Sequence, residues 1–266
     1  MAGASPNLNL MIRAARKAGR ALVRDFNEVE NLQVSVKGAG DFVTAADRRA
    51  EEIIRRELME ARPAYGWLAE EGGEEPGSDK TRRWIVDPLD GTTNFLHGLP
   101  HFAVSIALEH KGRIVAGVVF DPAKDEIFVA ETGEGCWMND RRARVSARRE
   151  MGSALFATGV PFGAKRTLPR TLRDLSTLMP RTAGVRRWGA AALDLAYVAV
   201  GRLDGFWERE LSPWDIAAGD ILVREAGGLV AGIGAVPGQG DPVGTGAIVA
   251  ANPDLFEPLN AALSEG

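Results

Sequence analysis

The sequence predicts a layered fold that joins an α+β half, from about residue 1 to 140, to an α/β half, from about 141 to 266. In the first half, two amphipathic helical patterns precede a series of apolar strands separated by turn residues. In the second half, helical and strand patterns alternate. Layers in the order helix, sheet, helix, sheet, helix accommodate this succession. No linker-like composition separates the halves, so we expect a single unit spanning 1–266.

The first half begins with a helix that Ser5 caps and Pro6 starts, an amphipathic segment rather than a signal peptide. A hairpin or mobile loop is expected at 32–43, and a second helix follows Thr44 and ends before Pro63. The later segments of this half alternate apolar runs with turns. Strands are predicted at 66–69, 84–86, 102–109, 113–120 and 126–130, with a loop at 72–79 and an antiparallel meander continuing to residue 137.

The second half predicts alternating helices and strands before a long loop rich in glycine and proline. Helices are expected at 167–178, 190–200, 213–226 and 253–263, strands at 182–186, 205–208, 228–231 and 247–250, and the loop at 232–246.

Composition excludes several classes of protein. A net charge of −4 argues against a general nucleic-acid binder. We expect the basic cluster to be a solvated face; it consists of Arg141, Arg142, Arg144, Arg148 and Arg149. The single cysteine, Cys136, cannot form an internal disulfide, which favours the reducing cytoplasm. Because no apolar run approaches 18 residues, no membrane association is predicted.

The segment 84–94, with the sequence WIVDPLDGTTN, is the most informative part of the chain. Asp87 ends an apolar strand, Pro88 is expected to stop it, and Asp90 opens a Gly-Thr-Thr stretch suited to a helix start. Two carboxylates beside backbone donors at a helix start can hold divalent cations and a phosphate together. The alternative is that Asp87 merely ends a strand and that Asp90-Gly91 is an ordinary turn.

Three further acidic sites allow two interpretations each. Glu70 and Glu71 end a predicted strand, or they belong to a solvated acidic run. Asp215 is either a functional acid or a partner of Ser212 in capping a helix, and Asp47 is open to the same two explanations in the second helix.

Other mechanisms lack the residues they need. The chain has neither a G-x-x-x-x-G-K-[ST] loop nor a G-x-S-x-G elbow. His97 and His101 have the spacing of a helical zinc pair, but Gly98 and Pro100 disfavour a helix there. The chain offers hard oxygen ligands, which suit magnesium or manganese.

The chain resembles the inositol monophosphatase family of lithium-sensitive, magnesium-dependent phosphatases in three segments. These are EE at 70–71, WIVDPLDGTTNF at 84–95 and PWDIAAG at 213–219. The similarity extends from Lys37 to the EAGG at 225–228, and the chain also resembles the bacterial SuhB-type branch of the family. It implies an αβαβα sandwich of the inositol monophosphatase and fructose-1,6-bisphosphatase type.

The resemblance implies several Mg²⁺ ions, with Mn²⁺ as a substitute and Li⁺ as an inhibitor. Glu70, Asp87 and the Leu89 carbonyl would hold the first ion. Asp87, Asp90 and Asp215 would hold the second, and Glu70 would also contact a weaker third.

The resemblance also implies catalytic and substrate roles. Thr92, supported by Asp47, would position and activate a metal-bound water, with Glu70 as a further catalytic residue. The backbone amides of Gly91 and Thr92 would hold phosphate oxygens. The other implied substrate contacts are Asp90, Gly189, Ala190, Ala191, Glu208 and Asp215.

The implied reaction is hydrolysis of a small phosphate monoester, foremost myo-inositol 1-phosphate, by a water nucleophile. Two departures concern substrate choice rather than reaction. The family usually has Ser or Thr where this chain has Ala190, and Arg209-Glu210 adds two charges near the substrate side. Histidinol phosphate and other sugar or nucleotide monophosphates therefore remain alternatives.

A function of another class is a SuhB-like regulatory protein that acts with the transcription machinery, for which the arginine cluster could serve. The resemblance further implies a homodimer. The expected partner of the enzyme is a small phosphate ester.

Overall fold

The computed structural model describes residues 4–28, 34–38, 41–161 and 167–264. The helices are α1 (Pro6–Phe26), α2 (Ala45–Ala61), α3 (Thr92–Leu96), α4 (Leu168–Leu178), α5 (Ala191–Ala199), α6 (Pro213–Glu225), α7 (Pro242–Thr245) and α8 (Pro253–Ser264). Short 3₁₀ helices lie at Met151–Ser153 and Met179–Arg181. Among these helices, none combines the length and apolar character needed to cross a membrane.

The strands of the first half are β1 (Val34–Gly38), β2 (Asp41–Thr44), β3 (Gly66–Ala69), β4 (Gly73–Glu75), β5 (Arg82–Asp90), β6 (Ala103–His110), β7 (Arg113–Asp121), β8 (Glu126–Glu131), β9 (Gly135–Met138) and β10 (Arg141–Ala143). The strands of the second half are β11 (Leu155–Thr158), β12 (Gly184–Arg186), β13 (Gly205–Glu208), β14 (Leu229–Ala231) and β15 (Ile248–Ala251). The predicted hairpin is confirmed by the antiparallel β1–β2 pair, although its turn at 39–40 lies outside the described residues.

Two sheets and three sets of helices form the predicted layers. The larger sheet has the strand order β10-β9-β8-β7-β6-β5-β3-β4, and the smaller has β12-β11-β13-β15-β14. One apolar core joins α1 and α2 to the larger sheet. A second joins both sheets to α5 and α6, and a third joins the smaller sheet to α8 and the end of α4. The order helix, sheet, helix, sheet, helix is therefore confirmed.

The core between the sheets contains side chains from both halves of the chain. Val119 and Phe128 of the larger sheet share it with Leu195 of α5, Ile221 of α6 and Phe206 of the smaller sheet. This shared burial supports a single unit, because neither sheet could cover its inner face alone. The division into halves at about residue 140 stays a prediction.

The strand that carries the acidic motif continues past Pro88, so the prediction that proline stops it is wrong. β5 pairs in parallel with β3 and antiparallel with β6. The register with β6 shifts between Asp87 and Asp90, and pairing resumes where Asp90 faces Ala103. Pro88 has no N–H to donate, so it interrupts the ladder as an irregularity rather than ending it.

Short elements account for the other differences from the prediction. β4 lies in the segment 72–79 and α7 in the segment 232–246, both of which were expected to be loops, and β10 and β11 were not predicted. β4 consists of Gly73, Glu74 and Glu75, all exposed, and owes its strand conformation to pairing with β3. A strand of this kind forms because it pairs with a neighbouring strand, and its sequence lacks the alternation of apolar and polar residues from which a strand is predicted.

Candidate active site

Asp87 and Asp90 lie at the irregular end of β5, where backbone N–H groups hold both carboxylates. Asp87 is 2% exposed, and its Oδ1 accepts a hydrogen bond of 2.9 Å from the Leu89 N–H. Asp90 is also buried, and its Oδ2 accepts a bond of 2.7 Å from the N–H of Ala192 at the start of α5. The D-x-x-D spacing therefore produces two buried, oriented carboxylates rather than an ordinary strand end.

Two more acids lie close to this pair. Burial raises the pKa of Asp87 well above its usual value, and the charges of Glu70, Asp90 and Asp215 raise it further. Burial is also the main cause that raises the pKa of Asp90 to about 7, while the N–H of Ala192 opposes the shift. The fold thus brings together the four predicted acidic side chains, and their mutual repulsion favours binding of a cation.

Glu70 and Asp215 come from separate elements that meet at β5. Glu70 follows β3, and its N–H donates to the Val86 carbonyl at 3.3 Å. Asp215 lies in the first turn of α6, where its Oδ2 accepts a 2.7 Å bond from the Ser212 N–H. The capping box predicted for this helix is confirmed. Asp215 therefore both caps α6 and lies near Asp87, so its two interpretations are compatible.

The donor set fits divalent cations that prefer oxygen. Carboxylates and a backbone carbonyl are the ligands that Mg²⁺ takes in proteins, together with water and phosphate oxygens. Within the described ranges, no three His, Cys, Asp or Glu side chains are arranged to hold an ion by themselves. Asp87, Asp90 and Asp215 each direct an oxygen to a backbone N–H. The ligand roles of these residues stay predictions.

Gly91 connects the acidic pair to α3 in the left-handed conformation, with φ of 92°. A Cβ atom at this position would lie 3.0 Å from the His101 carbonyl oxygen and 3.3 Å from the Ala190 Cβ. A larger residue would be strained in backbone and crowded in space. Glycine therefore keeps the approach to the start of α3 open beside Asp90.

Thr92 and Asp47 form a polar pair across the site. The Thr92 Oγ1 lies 3.1 Å from Asp47 Oδ1 and 3.0 Å from the Leu89 carbonyl oxygen. Asp47 is fully buried, and its other carboxylate oxygen accepts from the Thr44 N–H at 2.9 Å. Burial raises the pKa of Asp47, and the bonds from Thr44 and Thr92 oppose the shift. The carboxylate thus caps α2 and orients Thr92 simultaneously.

The start of α5 lies beside Asp90. Ala190 is the N-cap of this helix and makes no side-chain capping bond, and Gly189 before it has φ of 78°. Asp90 receives the Ala192 N–H in place of a capping side chain. Ala190 and Ala191 are buried, so this segment is close to the acids mainly through its backbone.

Glu208 and Asp194 place more carboxylates on the predicted substrate side. Glu208 ends β13 and packs on Gly159, where any Cβ atom would overlap its carboxylate. Asp194 of α5 is 1% exposed, and its Oδ1 has no hydrogen-bond partner among the described residues. Burial raises the pKa of Asp194 well above its usual value, and the charges of Glu208 and Asp90 add to the shift.

Two positioning residues escaped the sequence prediction. Asn94 Nδ2 donates to the carbonyls of His101 at 2.9 Å and Trp188 at 2.7 Å, which ties α3 to the segment before α5. Ser105 faces Asp87 in the β5–β6 ladder and donates through Oγ to the Trp214 carbonyl at 3.2 Å, which locates the start of α6. A polar residue inside an apolar strand was the signal that could have identified Ser105.

Nearly the whole chain matches one protein family in sequence and structure. Residues 4–266 match the model of the inositol monophosphatase family. The chain is 55% identical over 252 residues to the inositol-1-monophosphatase of Rhizobium meliloti (strain 1021), covering 95% of this chain and 94% of that one. It is 45% identical over 256 residues to the Nus factor SuhB of Escherichia coli (strain K12), covering 96% and 95%. Its structure matches the extragenic suppressor protein SuhB from Bartonella henselae with a TM-score of 0.94 and 53% identity, covering 98% of this chain and 100% of that one. The chain therefore belongs to the inositol monophosphatase family, as its motifs predicted.

Proposed function

We propose that this protein hydrolyses myo-inositol 1-phosphate to myo-inositol and phosphate with a water nucleophile and Mg²⁺. Membership of the family confirms the predicted enzyme class, a phosphoric monoester hydrolase. The observation that carries the proposal is the meeting of Asp87, Asp90, Asp215 and Glu70 at the start of the segment Gly91-Thr92. This arrangement supplies hard anionic ligands next to backbone donors, which suits a phosphate ester and its counter-ions.

The proposal includes about two to three Mg²⁺ ions, replaceable by Mn²⁺ and antagonised by Li⁺. Asp87 would contribute to two of the ions, with Glu70 and the Leu89 carbonyl on one side and Asp90 and Asp215 on the other. When bound, such ions lower the pKa of the attacking water and stabilise the departing alkoxide. The crowding that raises the pKa of Asp87 supports this assignment, because cations relieve the repulsion among the acids.

Thr92 and Asp47 would orient the attacking water. A hydroxyl has one proton, so when Thr92 donates to Asp47 its lone pairs remain able to accept a proton shared by water. The Asp47 carboxylate would fix that orientation, and it would take up the hydroxyl proton of Thr92 as the proton of the water passes to Thr92 Oγ1. The N–H groups of Gly91 and Thr92 would hold the phosphate oxygens, so positioning and electrostatics do most of the catalysis.

The preference for inositol phosphate over other esters depends on the residues proposed to contact the polyol rather than the phosphate. Glu208 would accept a hydrogen bond from a hydroxyl of the polyol, and Gly189, Ala190 and Ala191 would line the same space. The names of relatives at 52–56% identity, each an inositol-1-monophosphatase, support this substrate. Histidinol phosphate and sugar or nucleotide monophosphates are the alternatives, because Ala190 offers no hydroxyl to a substrate.

The deciding experiment is phosphate release from a panel of esters at fixed Mg²⁺, with EDTA and LiCl as separate additions. We expect the highest kcat/KM for myo-inositol 1-phosphate, loss of activity in EDTA, recovery with Mn²⁺, and inhibition by millimolar Li⁺. A higher kcat/KM for histidinol phosphate would make that ester the substrate in place of myo-inositol 1-phosphate. Turnover unaffected by EDTA would refute the metal-dependent reaction.

A second candidate function comes from the relatives named Nus factor SuhB. A regulatory protein of this kind would bind a component of the transcription machinery. The arginine cluster is exposed, but Arg148 pairs with Asp204, Arg149 pairs with Asp254 and Arg142 stacks on Trp137. Absence of turnover on every ester, together with binding to purified transcription components, would favour this function.

Assembly and location complete the proposal. We expect a homodimer in the cytoplasm, to be tested by light scattering of the purified protein and by fractionation of cells. Burial raises the pKa of the Cys136 thiol to about 12, so this cysteine is an unreactive core residue, as a reducing compartment allows.

A further inference from the structure

Helix α2 directs two buried acids to the site from adjacent turns of one face. Asp47 and Glu51 are separated by one helical turn, and both are buried, with Glu51 only 7% exposed. Glutamate is rarely buried unless it is paired. Asp47 binds Thr92, but Glu51 has no place in the function proposed above.

The carboxylate of Glu51 binds the turn that follows Glu70. Its Oε2 accepts a 2.9 Å hydrogen bond from the Glu71 N–H. The N–H of Gly72 donates to the same carboxylate, and a Cβ atom on Gly72 would lie 2.4 Å from Oε1. Glu51 thus accepts from two consecutive backbone groups that the end of β3 leaves outside the sheet ladder.

Glu70 is thereby held on both sides. Its own N–H donates to Val86 of β5 at 3.3 Å, so the sheet fixes the preceding backbone. Glu51 fixes the following backbone through residues 71 and 72. The direction in which the Glu70 side chain leaves the chain, towards Asp87 and Asp90, depends on both restraints.

We propose that Glu51 is a positioning residue for cation binding: by accepting the N–H groups of Glu71 and Gly72, it holds Glu70 in the place where it serves as a ligand. This inference rests on the proposed function, which assigns Glu70 to a metal ion. Groups that orient ligands typically change metal affinity by about 10–100-fold when they are removed. The role differs from that of Asp47, which orients a hydroxyl rather than a ligand.

The test is Mn²⁺ binding, followed by electron paramagnetic resonance of the unbound ion, alongside the Mg²⁺ concentration that gives half-maximal phosphate release. We expect Glu51→Ala to raise two values by about 10–100-fold, the Kd for Mn²⁺ and the Mg²⁺ concentration for half-maximal phosphate release. The kcat at saturating Mg²⁺ should stay within a few-fold of the wild type. Glu51→Gln keeps one accepting oxygen, so a smaller shift is expected. Gly72→Ala, which displaces the carboxylate without altering it, should shift both values in the same direction.

Glu57→Gln is the matched control. Glu57 lies on the same helix but pairs with Arg13 and Lys17, away from the turn. This change is expected to leave Mn²⁺ binding unchanged, even if it lowers the melting temperature. If Glu51→Ala does not fold, Glu51→Gln and Gly72→Ala carry the test.

The outcomes separate this inference from the proposed function. Wild-type Mn²⁺ affinity in Glu51→Ala or Gly72→Ala, with an active wild-type enzyme, would overturn the role of Glu51 alone. A wild type that binds Mn²⁺ but releases phosphate from no ester would overturn the function, while the affinities of the variants would still decide whether Glu51 positions a ligand.

Discussion

The Thr92 hydroxyl lies 3.1 Å from Asp47 Oδ1, although 45 positions separate the two residues in sequence. The same hydroxyl is 3.0 Å from the Leu89 carbonyl, and its single proton serves one acceptor at a time. Donation to Asp47 leaves the Leu89 carbonyl available to a cation. The contact thus couples the orientation of Thr92 to the part of β5 proposed to bind metal.

We expect Thr92→Ala to lower kcat by about 10²–10⁴-fold, because the change removes the group that orients and accepts from the attacking water. Thr92→Ser, which keeps the hydroxyl, is the matched control and should retain most of the activity. Steady-state kinetics at saturating Mg²⁺ measure the effect. Activity of Thr92→Ala within three-fold of the wild type would remove Thr92 from the mechanism.

We expect Asp87→Asn to lower kcat by about 10²–10⁴-fold, since loss of cation binding removes several kcal/mol of transition-state stabilisation. The amide keeps the shape of the side chain and an oxygen for the Leu89 N–H, and it relieves repulsion among the buried acids. The melting temperature in EDTA should therefore equal or exceed that of the wild type.

Asp254→Asn, on an exposed residue with a long ion pair of 3.7 Å, provides the control for this change. Differential scanning fluorimetry with EDTA and with Mg²⁺ separates folding from metal binding. Unfolding of Asp87→Asn in EDTA would show that the carboxylate is structural, and full activity would exclude the proposed ligand.

Asp194→Asn should stabilise the protein at pH 7 to 8. Burial raises the folded-state pKa of Asp194, so the folded state binds more protons than the unfolded state above the unfolded pKa of about 3.9, and stability falls as pH rises there. The neutral amide removes this loss. The gain, measured by urea unfolding, should vanish below about pH 3.9; a gain that instead grows on acidification would contradict the assignment.

His101→Phe should make the free energy of unfolding less dependent on pH between about pH 4 and 6.5. The effect of His101 has the opposite sign to that of Asp194, because the stability of the wild type falls as the pH decreases. Burial, with the nearby Lys124 charge, lowers the folded-state pKa of His101 to about 4, and its Nε2 has no hydrogen-bond partner among the described residues. The unfolded state, with a pKa of about 6.5, binds more protons between these values, so stability falls as pH decreases from about 6.5 to 4.

The phenylalanine would keep the ring contacts with Trp188 and Tyr197 without titrating. Urea unfolding of wild type and variant from pH 4 to 7.5 measures the difference between them. A wild-type profile no steeper than that of His101→Phe would show that the pKa of His101 is the same in the folded and unfolded states.

Local spacing made part of the site predictable. Asp87, Pro88, Asp90 and Gly91 lie in one short segment, so their relation follows from the chain itself. The predicted helix caps Ser5 and Ser212 were equally local, and the bond from the Leu8 N–H to the Ser5 side chain confirms the first. Ser212 takes part in the capping box with Asp215. The continuation of β5 through Pro88 was not predictable, because it depends on where β6 resumes its pairing.

By itself, the sequence determined the family and the residue types of the candidate site: hard oxygen ligands, a glycine turn and a hydroxyl. Tertiary structure decided which acids lie close together and which backbone groups hold them. Asp90 meets the start of α5 across 102 positions, and Glu51 reaches the turn after Glu70 from a separate helix. Such contacts follow from the packing of α2, α5 and α6 around one sheet, and no local pattern records them because each partner is selected by burial and register.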